Sequence, residues 1–292
     1  LKQRPFNTIE LESKLKPELN TELNTEPHTE RQTDKKQNNK QPSTIGMSKK
    51  DAIYSQPLDT ITGFTFDENV VNVFPDMIQR SVPGYSTIIA MTGVLAERYA
   101  QPNTHCYDLG SSLGASTLAM RRQLQQRACK IIAVDNSAAM QKRCREILDS
   151  DHQNSTSPAE VVLVESDICD VAITNASVVV LNFTLQFIPS AAREALLQSI
   201  YDGMCDGGIL ILSEKILFED PHLQQLNTDL HHSFKRANGY SEMEVSQKRT
   251  ALENVLIPET IAAHQHRLKR IGFNNVDVWF QCFNFASLVA IK

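Results

Sequence analysis

No apolar run in this 292-residue chain approaches the roughly 20 residues needed to cross a bilayer, and no short apolar leader core stands near its start. A membrane protein is therefore not expected. Cysteine is sparse: the six, at 106, 129, 144, 169, 205 and 282, include no C-x-x-C pair. Cys106, Cys129, Cys144 and Cys169 fall in or beside segments that read as core strands or helices. Buried free thiols in a reducing cytoplasm explain this better than a disulfide framework. Histidine offers no metal pattern either. His231 and His232 are adjacent and His264 and His266 are two apart, without the i, i+4 spacing of a helical zinc site. All four read as surface residues, and no metal is expected.

Hydrophobic residues make up 41%, enough for a sizeable core, but not evenly. Residues 1–46 are rich in Asn, Gln, Thr, Glu and Lys, a composition that cannot offset its ordering entropy, so a disordered N-terminal extension is expected. Met47 opens the first stretch that reads as structured, which suggests an upstream extension of a shorter functional protein. The extension carries eight Lys and Arg against seven Asp and Glu, which leaves −6 for the remainder of a chain at −5. That balance argues against a standing nucleic-acid platform.

From residue 105 the pattern alternates strand and helix. Apolar runs at 105–110, 131–134, 161–164, 178–181 and 209–212 read as strands. Helices are expected at 115–126, 136–148 and 190–204, a polar linker at 149–158 and a turn at 206–208. Continuous apolar strands separated by helices mean a parallel sheet covered on both faces. Residues 220–255 read as a polar helical insertion with a break near Asn238-Gly239. A helix at 258–271 and strands at 276–280 and 285–291 follow, the last two joined by a turn too short for parallel pairing. The expected fold class is α/β, a Rossmann-like class I methyltransferase fold with an antiparallel C-terminal hairpin. Residues 47–104 are expected as a helical cap over the ligand mouth, and 105–292 as the binding domain.

The sharpest local signal is Tyr107-Asp108-Leu109-Gly110-Ser111-Ser112-Leu113-Gly114, a strand, a tight turn and a helix start. Its glycines let backbone approach a ligand, although the full G-x-G-x-x-G is absent and an ordinary loop would look similar. Asp135 ends the next strand, where a carboxylate can accept both hydroxyls of a ribose. Together they favour a nucleoside site. Asp108 before Gly110 and the terminal hairpin favour S-adenosylmethionine over a dinucleotide. Asp167 and Ile168, after the third strand, suit the adenine amine and ring. Asn182 follows the fourth strand without the Asn/Asp-Pro-Pro-aromatic string of base-amine methyltransferases. No nucleophile–base pair is evident.

Residues 64–68 (FTFDE), 73–85 (VFPDMIQRSVPGY), 181–187 (LNFTLQF), 234–242 (FKRANGYSE) and 246–249 (SQKR) closely resemble the bacterial carboxy-S-adenosyl-L-methionine synthases. The likeness runs from Met47 to Lys292. Ser111 stands where the family carries cysteine, the 149–158 linker is longer, and residues 1–46 have no counterpart. The resemblance implies that S-adenosylmethionine accepts a carboxyl group from prephenate, which leaves as phenylpyruvate. The sulfonium acidifies its methyl group, and the resulting ylide attacks carbon dioxide. It also implies a cytoplasmic homodimer whose product passes to a second enzyme that modifies wobble uridine in tRNA. The ligand contacts it implies are Tyr85, Gly110, Ser111, Ser112, Asp135, Asn136, Asp167, Ile168, Asn182 and Arg249, with Arg249 and Tyr85 meeting the new carboxylate. The residues alone do not choose Arg249 over Arg236 or Lys248. They leave open an ordinary small-molecule methyltransferase and a non-catalytic cofactor-binding partner of a tRNA-modifying enzyme.

Overall fold

The computed structural model describes residues 49–58, 60–124, 128–152 and 159–292; the expected disorder of residues 1–46 lies outside them. Strands β1 (His105–Leu109), β2 (Lys130–Asp135), β3 (Glu160–Glu165), β4 (Ala176–Asn182) and β5 (Met204–Leu217) pair in parallel in the order β3-β2-β1-β4-β5. The short β6 (Glu259–Thr260) pairs with the far end of β5. Of the final strands, β7 (Asn275–Cys282) and β8 (Phe285–Ile291), it is β8 that lies against β5, antiparallel, and β7 completes the edge. The hairpin expected from sequence is present, and only β8 runs against the rest.

The strand signal came from uninterrupted apolar residues, and the burial shows why. Side chains alternate across a strand. Cys106, Val178, Val180, Ile209 and Ile211 meet one core cluster, while Tyr107, Leu109, Val179, Leu181, Leu210 and Leu212 meet the other. The first is covered by helix α2 (Tyr85–Tyr99) through Ala96 and by α3 (Ala115–Gln123) through Met120. The second is covered by α5 (Ser190–Gly203) and α8 (Ile261–Ile271) through Leu197, Ile200 and Leu268. Truncating one such side chain, Leu181→Ala, removes about 2–5 kcal/mol.

Three local expectations are corrected. Helix α4 (Ala138–His152) runs four residues into the expected linker. Ser137, whose Oγ accepts the Met140 N–H, starts it. The 206–208 turn is a bulge inside β5: Ala176 faces Met204 but Val178 already faces Ile209, and Gly207 at φ 72° absorbs the extra residues. Cys169 is exposed, because it follows β3 on a loop, whereas Cys106, Cys129 and Cys144 are buried.

The insertion is two helices. Asp220 caps α6 (Pro221–Ala237) at the Leu223 N–H, and a reciprocal Ser241–Glu244 capping box starts α7 (Glu242–Leu252). Helix α1 (Glu68–Ser81) and the preceding segment pin the pair. Arg80 donates to the Asn238 carbonyl (2.7 Å), and Tyr240 donates to Asp51. Gln247 holds the backbone of Tyr54, Gln56 and Leu58. Of the two helices found in the segment expected as a helical cap, α1 lines the cavity below. Helix α2 does so only at its first residue and otherwise packs on the sheet.

Candidate functional site

In this strand order β1 leads to β2 on one side while β4 lies on its other side. That reversal opens a crevice at the carboxyl ends of the strands. A cavity of about 770 Å³ sits there, roofed by α1, α6 and α7. The ten ligand contacts implied by the resemblance all line it: Tyr85 at the start of α2, Gly110, Ser111 and Ser112 in the turn after β1, and Asp135 and Asn136 at the end of β2. Asp167 and Ile168 follow β3, Asn182 ends β4, and Arg249 lies on α7.

The turn after β1 is built for close approach. Gly110 and Gly114 have φ of 80° and 79°, and a Cβ on Gly110 would stand 2.3 Å from Thr184 Oγ1. Asp135 accepts the Ser112 N–H (2.8 Å) with one oxygen and the Ser137 N–H (2.9 Å) with the other. Burial pushes its carboxyl up, and those two bonds oppose the shift. Each oxygen keeps a second lone pair for a ligand hydroxyl. Ser111 Oγ is buried and, among the described residues, has no hydrogen-bond partner. An adenosyl ligand fits this end: orphaned hydroxyl, carboxylate at a strand end, apolar Ile168, and Asp167 on an exposed loop.

Asp108 and Asn182, both noted in the sequence, are tied into the frame around the cavity. Asp108 is buried behind the turn rather than lining the cavity. It accepts the Thr117 hydroxyl (2.6 Å), and burial raises its pKa to about 6. It therefore braces the start of α3. Asn182 spends its side chain on the frame: its amide donates to Ser116 and Thr92, and its carbonyl accepts from Ser213 Oγ (2.6 Å). Phe183 beyond it is held at φ 60°, a conformation costing a bulky residue about 1–3 kcal/mol. The Phe183 N–H to Ser213 carbonyl bond (2.7 Å) and ring packing on Phe285 and Tyr85 hold it there.

The opposite end of the cavity is cationic. Gln224, Thr228, His231, His232 and Lys235 project from one face of α6 at helical spacing, joined by Lys215 of β5 and by Lys248 and Arg249 of α7. Burial, with Lys248 and Lys215 nearby, brings Lys235 down to about 7. Burial brings Lys248 down to about 8 against the pull of Asp51. The surface reading of the histidines fails at two positions. His231 is buried, its ring 4.8 Å from that of Phe285, and His264 is buried within α8. Burial and Lys235 hold His231 neutral at about 3, so its Nε2–H donates to the Ser81 carbonyl (2.8 Å). Arg249 is exposed at the rim and unpaired among the described residues, Arg236 is exposed, and Lys248 is tied to Ser81 and Asp51. Burial and the Asp108 charge raise the Tyr85 phenol well above its ordinary value, so it serves as a hydrogen-bond donor. Sequence reasoning missed Lys215, Lys235 and His231. The signal for Lys215 was Glu214-Lys215 at the carboxyl end of an otherwise apolar strand.

Comparison with known proteins agrees with the architecture. The methyltransferase domain family matches residues 107–208. Among solved structures, an O-methyltransferase family protein from Burkholderia thailandensis superposes with a TM-score of 0.52 at 16% identity, covering 78% of this chain and 60% of that one. At that identity the likeness is one of fold. The carboxy-S-adenosyl-L-methionine synthase of Trichlorobacter lovleyi is 64% identical over 247 residues, 84% of this chain and 100% of the relative. That of Aliivibrio fischeri strain ES114 is 59% identical over 246 residues, with the same coverage. Identity of this degree along the full length of those relatives places the chain in one family: it belongs to the carboxy-S-adenosyl-L-methionine synthases.

Proposed function

We propose that this chain makes carboxy-S-adenosyl-L-methionine from S-adenosyl-L-methionine with prephenate as carboxyl donor, through the cavity at the β1–β4 crevice. The carrying observation is the cavity's division into an acidic, glycine-turn end at β1–β3 and a cationic end at β5, α6 and α7. The donor loses carbon dioxide and hydroxide to become phenylpyruvate. The hydroxide takes a proton from the sulfonium methyl, which joins the carbon dioxide, and water is the balancing product.

The residues position and shield. Asp135 takes the ribose hydroxyls, Asp167 and Ile168 the adenine, and Gly110, Ser111, Ser112 and Asn136 pack the adenosyl body. Asn182 keeps the floor rigid through its hydrogen bonds to the frame. Tyr85 and Arg249 receive the new carboxylate, the phenol by donating its proton in a hydrogen bond and the guanidinium by charge. Helices α1, α6 and α7 close the cavity from water, which would otherwise consume the carbanion. Outside the cavity, the reading includes a cytoplasmic homodimer that passes its product to a tRNA wobble-uridine-modifying enzyme without itself holding nucleic acid. Among the described residues no helix is long and apolar enough to cross a membrane.

Incubating the purified protein with S-adenosyl-L-methionine and prephenate tests this. Phenylpyruvate and a nucleoside heavier by one carboxyl group are expected in equal amounts. Methylation of an added acceptor with no phenylpyruvate would return the chain to ordinary methyl transfer.

A further inference from the structure

We infer that the β5 end of the cavity is a separate binding site for a small carboxylate dianion, organised around Lys235. Lys235 is 6% exposed and lines the cavity, yet among the described residues its ammonium makes no hydrogen bond or ion pair. Lys215 and Lys248 both act on it electrostatically, and only Asp51 opposes them. Asp51 is already engaged by Tyr240 and Lys248, the latter at 3.6 Å. Arg249 adds a fourth cation at the rim, where exposed Glu253 is the nearest acid in sequence. Ammonium groups removed from water without a counter-ion destabilise a fold, and an anion in the cavity relieves them.

The geometry separates this site from the adenosyl end. From β3, beside Asp167, to β5, beside Lys215, is four inter-strand steps, roughly 19 Å. The amino-acid tail of S-adenosylmethionine is a zwitterion, which calls for an acid as well as a base, so a cluster this rich in lysine does not match it. An apolar wall joins the two ends: Tyr85 to Phe183 (6.2 Å between centroids), Phe183 to Phe285 (6.0 Å) and Phe285 to His231 (4.8 Å). Asn284, beside Phe285, presents a buried side-chain carbonyl with no partner among the described residues, an acceptor for a hydroxyl. The occupant is thus a ring-sized apolar body with two carboxylates and a hydroxyl. Prephenate has this chemistry, and that identification rests on the proposed reaction; the dianion site itself does not.

The test is Lys235→Met in the full chain, with calorimetric titration of prephenate in the absence of S-adenosyl-L-methionine, and of S-adenosyl-L-methionine alone. Prephenate affinity should fall about 10- to 100-fold, the loss of one charge-assisted bond, while S-adenosyl-L-methionine binds as before. The ligand-free variant should melt at or above the parent temperature, because a buried charge has been removed. Unchanged prephenate affinity, a parallel loss for both ligands, or a lower melting temperature overturns the site. Lys235-dependent prephenate binding without phenylpyruvate formation would keep the site and remove the reaction. Turnover by the parent with prephenate bound normally by Lys235→Met would keep the reaction and remove the site.

Discussion

Replacing Arg249 by alanine removes the cation assigned to the new carboxylate, and the structure sets how much that should matter. The guanidinium stands exposed at the rim with no partner among the described residues, so it meets the ligand from a hydrated state. A charge-assisted hydrogen bond is worth about 1.5–3 kcal/mol when well shielded, and an exposed pair about 0.2–1. Here the ligand covers one side of the cation and water keeps the other. The preference of the site for carboxy-S-adenosyl-L-methionine over S-adenosyl-L-methionine should therefore fall by about 1–1.4 kcal/mol, or five- to tenfold. The S-adenosyl-L-methionine constant itself should hold, since that ligand offers no group to the guanidinium beside its methyl. Turnover should fall with the preference, because the same charge stabilises the carboxylate as it forms. Arg249→Lys restores charge without the planar fork and should recover only part of both. Competitive titration of the two nucleosides, with phenylpyruvate release in parallel, reads the effect. A variant that keeps both its preference and its turnover would refute the assignment.

Other positions give sharp expectations. Asp135→Ala should weaken S-adenosyl-L-methionine about 10- to 100-fold by calorimetry. It should also cost about 1–3 kcal/mol in urea unfolding, since the Ser112 and Ser137 N–H groups lose their acceptor; unchanged affinity would remove the ribose assignment. Glu259 is held at about 2, with burial outweighed by Arg267 and Arg193. Its contribution to stability is present above the ordinary glutamate pKa near 4.5 and is lost as pH falls through about 2. Glu259→Gln should flatten that acid limb in melting curves taken against pH, and an equally steep limb would contradict the ion cluster. A chain beginning at Met47 should melt with the parent and turn over at the same rate, because the composition of residues 1–46 supplies no core. Matched melting and rate measurements decide this.

The sheet was legible because its strands are buried on both faces: β4 reads Ala-Ser-Val-Val-Val-Leu-Asn with no polar alternation to confuse it. The glycine turn was legible because the positive φ at Gly110 and Gly114 favours glycine, and Asp135 because a carboxylate ending an apolar strand stands out from it. Helix α6 was not legible in its orientation. Leu223, Leu226 and Leu230 are exposed at 45%, 44% and 38%, while His231 and Lys235 of the same helix are buried. A rule that turns leucines inward assigns the wrong face, and only the packing of α1 and β5 reveals the inversion. His264 was misread for the same reason: α8 closes a sheet face that the local sequence does not announce. The β5 bulge escaped because Asp206-Gly207-Gly208 is also an ordinary turn signal, and only pairing with β4 and β8 tells the two apart.

The position of β8 bears on how the protein is made. Phe285–Ile291 is the last strand of the sheet to be synthesised, yet it lies inside the sheet, between β5 and β7. Until it emerges from the ribosome, the backbone of Ile209–Lys215 presents an unpaired apolar edge, and β7 has no neighbour to join. An open edge of that kind recruits other chains. The nascent chain therefore carries this open β5 edge until β8 is available to cover it, and its need for chaperones should be greatest before then.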